Sequence, residues 1–138
     1  MVTHVYQPAN NTKDLFRAQV TITNNTGAAV NDVKYVRVMD WDIPPTEFNE
    51  FVTIKGTTTT TLLERSHNDG FDSADPLVET SGIDATTEDV DFTDKGPDDH
   101  GAYFRFNFGT IEDGKSYTFN IFYGATASEE AALKAVGA

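Results

Sequence analysis

The sequence predicts an all-β protein: an antiparallel β-sandwich of about seven to nine strands, with a long acidic loop region and a short C-terminal helix. Three observations predict it. Phe (10) and Tyr (5) dominate the large apolar residues, and such rings suit a sheet core better than a helix bundle. Several runs alternate apolar and polar residues at period two. Stretches rich in Asn, Gly and Pro separate those runs. The 138 residues read as a single domain, 1–138, long enough to bury a core without staples.

The elements follow in order. Val2 to Gln7 is β-rich and ends at Pro8, and residues 10–14 read as a turn. In the next run Phe16, Ala18, Val20 and Ile22 alternate with Arg17, Gln19, Thr21 and Thr23, giving one buried and one wet face. Asn24-Asn25-Thr26-Gly27 supplies turn geometry. Val30 to Ile43 is a long strand whose apolar phase shifts by one after Tyr35, the mark of a bulge or of burial on both faces. Pro44-Pro45 stops it, because proline cannot donate to a ladder. Phe48 to Lys55 is a fourth strand, and Thr57 to Thr61, being β-branched, an exposed one. From Arg65 to Gly101 the alternation fails, with short strands expected only near Leu77–Glu79 and Val90–Phe92. Phe104, Phe106 and Phe108 define one further strand, and Tyr117, Phe119, Ile121 and Tyr123 another. The turn at residues 112–115 joins them as a hairpin or as a step between sheets. Ser128 as N-cap, Glu129 and Glu130 behind it and Gly137 as C-cap bracket one short helix.

Composition excludes several classes. There is no cysteine, hence no disulfide, thiolate metal site or cysteine nucleophile. No apolar run approaches the ~20 residues that span a bilayer, so no membrane insertion is expected. No basic segment followed by an apolar one opens the chain, so no signal peptide lies within it. The chain is expected to be cut from a longer exported protein. The net charge is −12, and His67–His100 alone holds 11 acidic residues against one lysine. Such a surface disfavours nucleic acid and anionic membranes as partners.

Val20-Thr-Ile-Thr-Asn-Asn-Thr-Gly27, followed by a strand and Asp42-Ile-Pro-Pro45, resembles the immunoglobulin-like repeats of bacterial surface and exported proteins. Arg37-Val-Met-Asp-Trp-Asp42, Asn68 to Leu77, Gly96 to Ala102 and Phe122-Tyr-Gly-Ala125 resemble an uncharacterised domain of large exported bacterial proteins. The resemblance implies an immunoglobulin-like fold and an extracellular or cell-surface location. It carries over no functional residue.

Oxygen-rich clusters suggest a cation. Asp69, Asp72 and Asp75 crowd one turn-rich segment, and calcium takes six to eight such oxygens. Their order is not that of an EF-hand, and a solvated turn capped by Asp side chains competes with the calcium reading. Asp40 and Asp42 come second; two apart, they share a strand face and need a cation or a base, such as Arg37 or Arg105, between them. Asp91, Asp94, Asp98 and Asp99 near His100 form a further acidic group. No cofactor is required, and calcium is the one ion suggested. His4, His67 and His100 are scattered and no serine elbow exists, so no catalytic residue is assigned. A Lys–Asn or Lys–Asp crosslink from Lys34 or Lys55 to Asn120, assisted by Asp40, is disfavoured because alternation turns Asn120 away from the apolar face. Trp41, the sole tryptophan, is expected in the core. The expected function is a non-catalytic structural or adhesive module whose partners are other domains or subunits of a surface assembly, or a glycan. A carbohydrate-binding module and a motif-poor hydrolase are the alternatives.

Overall fold

In the computed structural model, which describes residues 1–138, 46% of residues lie in strands and 8% in helix, so the all-β class holds. Eight strands form in the order β1 (Val2–Pro8), β2 (Leu15–Thr23), β3 (Val30–Asp40), β4 (Glu50–Ile54), β5 (Leu63–His67), β6 (Phe92–Asp98), β7 (Gly101–Ile111) and β8 (Ser116–Gly124). A 3₁₀ turn at Ala85–Thr87 precedes β6, and helix α1 (Glu129–Val136) closes the chain. The strands make three antiparallel sheets, ordered β1-β2-β8, β3-β7-β5 and β4-β6. The chain divides into two compact units, one of Met1–Val33 with Phe108–Ala138 and one of Lys34–Asn107.

The first unit is built on the alternation of β2. Ala18 and Val20 are fully buried and Ile22 nearly so, each such aliphatic contributing about 1.5–3 kcal/mol when a side chain the size of valine is withdrawn from water. Register places Ala18, Val20 and Ile22 opposite Ile121, Phe119 and Tyr117 of β8. Phe108 packs on the same face, 5.3 Å from the rings of Tyr117 and Phe119. The other face is polar, with hydroxyl pairs Thr21–Thr118 at 2.9 Å and Thr23–Ser116 at 2.7 Å. Asn24 ties down the turn after β2: its amide nitrogen donates to the carbonyls of Ala28 and Ile111, both at 2.7 Å, and its oxygen accepts from the Thr26 N–H at 3.0 Å. Phe16, on the alternating face, is 47% exposed and lies outside the core. Ser128 caps α1 by accepting from the Ala131 N–H at 3.3 Å. Gly137 ends the helix at φ −87°, a right-handed conformation any residue adopts.

The second unit centres on Val52, Ile54, Phe92 and Ala102, with Trp41 and Phe104 packed against them. Trp41 thus reaches the core edge, as expected. β4 and β6 pair Glu50 with Asp98, Val52 with Lys95 and Ile54 with Phe92, with register shifts between these pairs.

Several expectations need correction here. β3 stops at Asp40, three residues short of Ile43. Thr57–Thr61 forms turns, not a strand. Its polar groups bond locally: Thr59 Oγ1 donates to the Gly56 carbonyl at 2.7 Å and the Leu62 N–H donates to Thr60 Oγ1 at 3.1 Å, alternatives that compete with a ladder. Leu77–Glu79 is also turn. The stretch 65–101 contains the end of β5 and all of β6, which starts at Phe92, where the strand expected near Val90–Phe92 was to end. Of the two forms expected for the link from β7 to β8, the structure has the step between sheets.

Candidate functional site

The β4–β6 pairing sets Glu50 beside Asp98, and the Trp41 N–H donates to the His100 carbonyl at 3.4 Å. The end of β3 therefore meets the end of β6. Asp40, Asp42 and Asp99 converge there, with one carboxylate oxygen of each within 4.8 Å of the others, all three exposed. Two oxygens on opposite sides of one calcium ion lie about 5 Å apart, since each Ca–O distance is 2.3–2.6 Å. The cluster has the span and the hard-oxygen chemistry for such an ion.

Electrostatics agree with the geometry. Lost hydration, then the charges of Asp40, Asp99, Glu50 and Glu47, hold the Asp42 carboxyl above its usual range. Lost hydration, then Asp40, Glu50 and Asp98, do the same to Asp99, against a lowering influence of His100. Arg105, one of the two bases offered for this pair, is instead bound to Glu64 at 2.8 Å and to Glu79 at 3.1 Å. Buried Glu50 stands behind the cluster, accepting from the N–H groups of Phe48 at 2.8 Å and His100 at 3.3 Å.

Beneath this surface lies a buried polar network. His67 and Asn68 are fully buried, Thr87 likewise, and His100 is 2% exposed. The Asp69 N–H donates to His67 Nδ1 at 3.2 Å. Nε2 therefore carries the proton and donates to Thr80 Oγ1 at 2.8 Å. Asn68 Oδ1 accepts from Thr87 Oγ1 at 2.9 Å and the Asp84 N–H at 3.4 Å. Its amide nitrogen lies 3.0 Å from His100 Nδ1, a hydrogen bond between two buried side chains. His100 Nε2 is buried without a hydrogen-bond partner. Burial lowers both imidazole pKa values. His67 also stacks on buried Tyr103, with ring centroids 4.4 Å apart and planes 6° from parallel.

An open cleft of about 290 Å³ adjoins this network, lined by Asp84, Lys95, Gly96, Pro97, Asp98 and His100. Its charges are already engaged. Lys95 Nζ meets Asp84 at 3.1 Å and Thr86 Oγ1 at 2.8 Å. Hydrogen bonds from the Thr86 N–H and hydroxyl, then from Lys95, bring Asp84 to a pKa of about 2.

The residues expected to bind metal thus divide. Asp40 and Asp42 come together and gain Asp99. Asp69, Asp72 and Asp75 do not gather into one set of carboxylates; Asp69 accepts from the Phe71 N–H and Asp75 from the Leu77 N–H, each bracing its own turn. Asp91 accepts from both the N–H and hydroxyl of Thr57. Lys34, weighed for a crosslink, reaches Glu64 at 3.4 Å. Asp99 and Glu50 as neighbours of Asp42, and Asn68, Thr80 and Thr87 as network members, are not apparent from sequence. Only the pairing of β4 with β6 and the closure at Trp41–His100 bring them into place. Comparison with protein-family models, with curated proteins and with solved structures finds no match to the chain.

Proposed function

We propose that this chain is a non-catalytic structural or adhesive module of an exported, cell-surface protein, an immunoglobulin-like sandwich with a calcium site at Asp40, Asp42 and Asp99. One observation supports the non-catalytic reading above others. His67 accepts at Nδ1 from the Asp69 N–H, so it presents a proton, and not a lone pair, to the Thr80 hydroxyl at Nε2. A histidine in that state cannot serve as the base for a neighbouring hydroxyl. The network holds the 67–100 segment in place and offers no activated nucleophile.

The alternatives fare less well. A hydrolase needs a carboxyl of raised pKa inside a pocket, whereas the raised ones, Asp42 and Asp99, are exposed and the cleft residue Asp84 is lowered. A sugar platform needs an open indole face, whereas Trp41 packs against the apolar cluster.

The test is a melting curve with calcium and with magnesium at equal ionic strength. A ligand specific to the folded state stabilises by about 2.7 kcal/mol at a hundredfold excess over Kd, a shift of several degrees for a chain this size. Millimolar calcium is expected to raise Tm well beyond magnesium, and the Asp40→Asn/Asp42→Asn double variant is expected to lose the difference. Equal shifts from both ions would reduce the cluster to a screened acidic surface. Selective binding on a glycan array would move the function to the carbohydrate-binding alternative.

A further inference from the structure

We propose that residues 71–81 form a strap that opens in acid, with His67 as the group that releases it. The strap lies between β5 and β6 and contains no strand or helix. Its ends are fixed. A Cβ on Gly70 would strike the Met39 carbonyl and the backbone of Gly101, and the Gly82 N–H donates to Glu88 at 2.9 Å. Little apolar burial holds the middle. Thr80 is the one buried residue of 71–81, while Phe71, Leu77 and Val78 are exposed. A segment held by polar contacts instead of a core sits at the low end of local stability.

Those contacts converge on Thr80. Its hydroxyl accepts from His67 Nε2 at 2.8 Å. Its carbonyl accepts from Arg65 Nε at 3.3 Å and Nη2 at 3.0 Å. The Val78 carbonyl accepts from Arg105 at 3.2 Å. Of these three donor side chains, only an imidazole changes charge between about pH 5 and 8.

The site fits a neutral imidazole. His67 is fully buried, and its Nδ1 accepts from the Asp69 N–H at 3.2 Å. A proton on Nδ1 would set donor against donor. The imidazolium would also stand beside the Arg65 guanidinium, two residues earlier on β5. Three carboxylates bring opposing charge, those of Asp69, Glu88 and Asp89. Glu88 and Asp89 are bound to Arg65 at 3.0 and 2.8 Å, and Asp69 accepts from the Phe71 N–H at 2.8 Å. None of them bonds the ring, whose two nitrogens are taken by Asp69 N–H and Thr80. From β7 the ring of Tyr103 stacks on it, 4.4 Å between centroids, and brings no carboxylate. Burial, then the Arg65 charge, hold the enclosed imidazole below its ordinary pKa. Opening the strap lets it take a proton at about 6.5. Below that pH the open population therefore rises, at most about tenfold per pH unit.

Hydrogen exchange of the intact chain, read by mass spectrometry and corrected for intrinsic rates, tests this. Peptides covering 69–82 are expected to lose protection several-fold, at most about tenfold, between pH 7.5 and pH 5.5, which bracket the ordinary imidazole pKa of about 6.5. Their exchange is expected to change little in dilute urea, because a local opening exposes little surface, whereas peptides of β2 and β8 keep the steep dependence of global unfolding. His67→Gln supplies an acceptor for the Asp69 N–H and a donor for Thr80 without a titrating group, and is expected to remove the pH dependence. Thr80→Val is expected to raise exchange of the same peptides already at the higher pH. Circular dichroism reports that both variants fold. Protection of 69–82 that is equal at the two pH values overturns the proposal. So does a pH dependence that survives in His67→Gln, or exchange of 69–82 that follows β2 in its response to urea.

Discussion

At the scale of single residues, the two buried histidines set how stability depends on pH. Burial lowers the pKa of His67 and His100 from 6.5, so the unfolded chain takes up their protons first. Their contribution is fully present above about pH 6.5 and is lost as pH falls below it, by at most about 1.4 kcal/mol per pH unit for each group. Asp42 and Asp99 act in the opposite sense. Their carboxyls are raised from 3.8, so the fold gains from their protonation as pH falls toward that value. In the unfolded chain the imidazoles, with an ordinary pKa of about 6.5, take up protons before the carboxyls do. Urea unfolding midpoints are expected to drop between pH 7.5 and pH 5.5, both values chosen to bracket the ordinary imidazole pKa of about 6.5. Identical midpoints would mean that the imidazoles protonate without leaving their bonds.

At the scale of elements, the meeting of β3, the start of β7 and the turn after β5 depends on two glycines, Gly70 and Gly101. A Cβ on Gly101, at the start of β7, would fall on the backbone of Gly70 and 2.7 Å from the Met39 carbonyl oxygen. All the atoms in the way are backbone, so nothing flexible can yield. Gly101→Ala is expected to destabilise by about 3 kcal/mol, the upper range for overpacking, read as a lower denaturation midpoint with an unchanged slope. A variant as stable as the parent would show that the backbones separate freely. These elements also mark where the sequence stops being legible. β2 and β8 announce themselves by alternation, and β7, buried on both faces, by its run of rings at Tyr103, Phe104, Phe106 and Phe108; Ser128 with Glu129 and Glu130 announces α1. β5 is hidden because its buried positions are Ser66 and His67, which no apolar period reveals. β6 is hidden because Asp94, Gly96 and Pro97 read as loop. Since β6 carries Asp98 and leads to Asp99, the candidate site was only half visible. Asp40 and Asp42 declare each other by proximity in sequence; their third partner depends on a pairing that composition conceals.

At the scale of the whole molecule, charge is spent unevenly. The ion pairs of Lys34, Arg65, Lys95 and Arg105 all lie within Lys34–Asn107, the unit with most of the acids, where each partner relieves part of the self-repulsion. The other unit holds both chain ends, and this has a mechanical consequence. Met1 pairs with Thr23 at one end of the β1-β2-β8 sheet. Ala138 accepts from Asn11 at 2.9 Å, past the end where Pro8, Phe16 and Tyr123 align. Tension applied between the termini therefore drags β1 lengthwise along β2, and because the bonds lie across the strands they resist in shear, all together. Lys34–Asn107 is short-circuited by that sheet and feels no load until it ruptures. Single-molecule pulling from both ends is expected to give a high-force first event in which the sheet yields, with the extension of Lys34–Asn107 released only then or afterwards. A low-force lengthening that precedes the main rupture would show the load running through that segment instead.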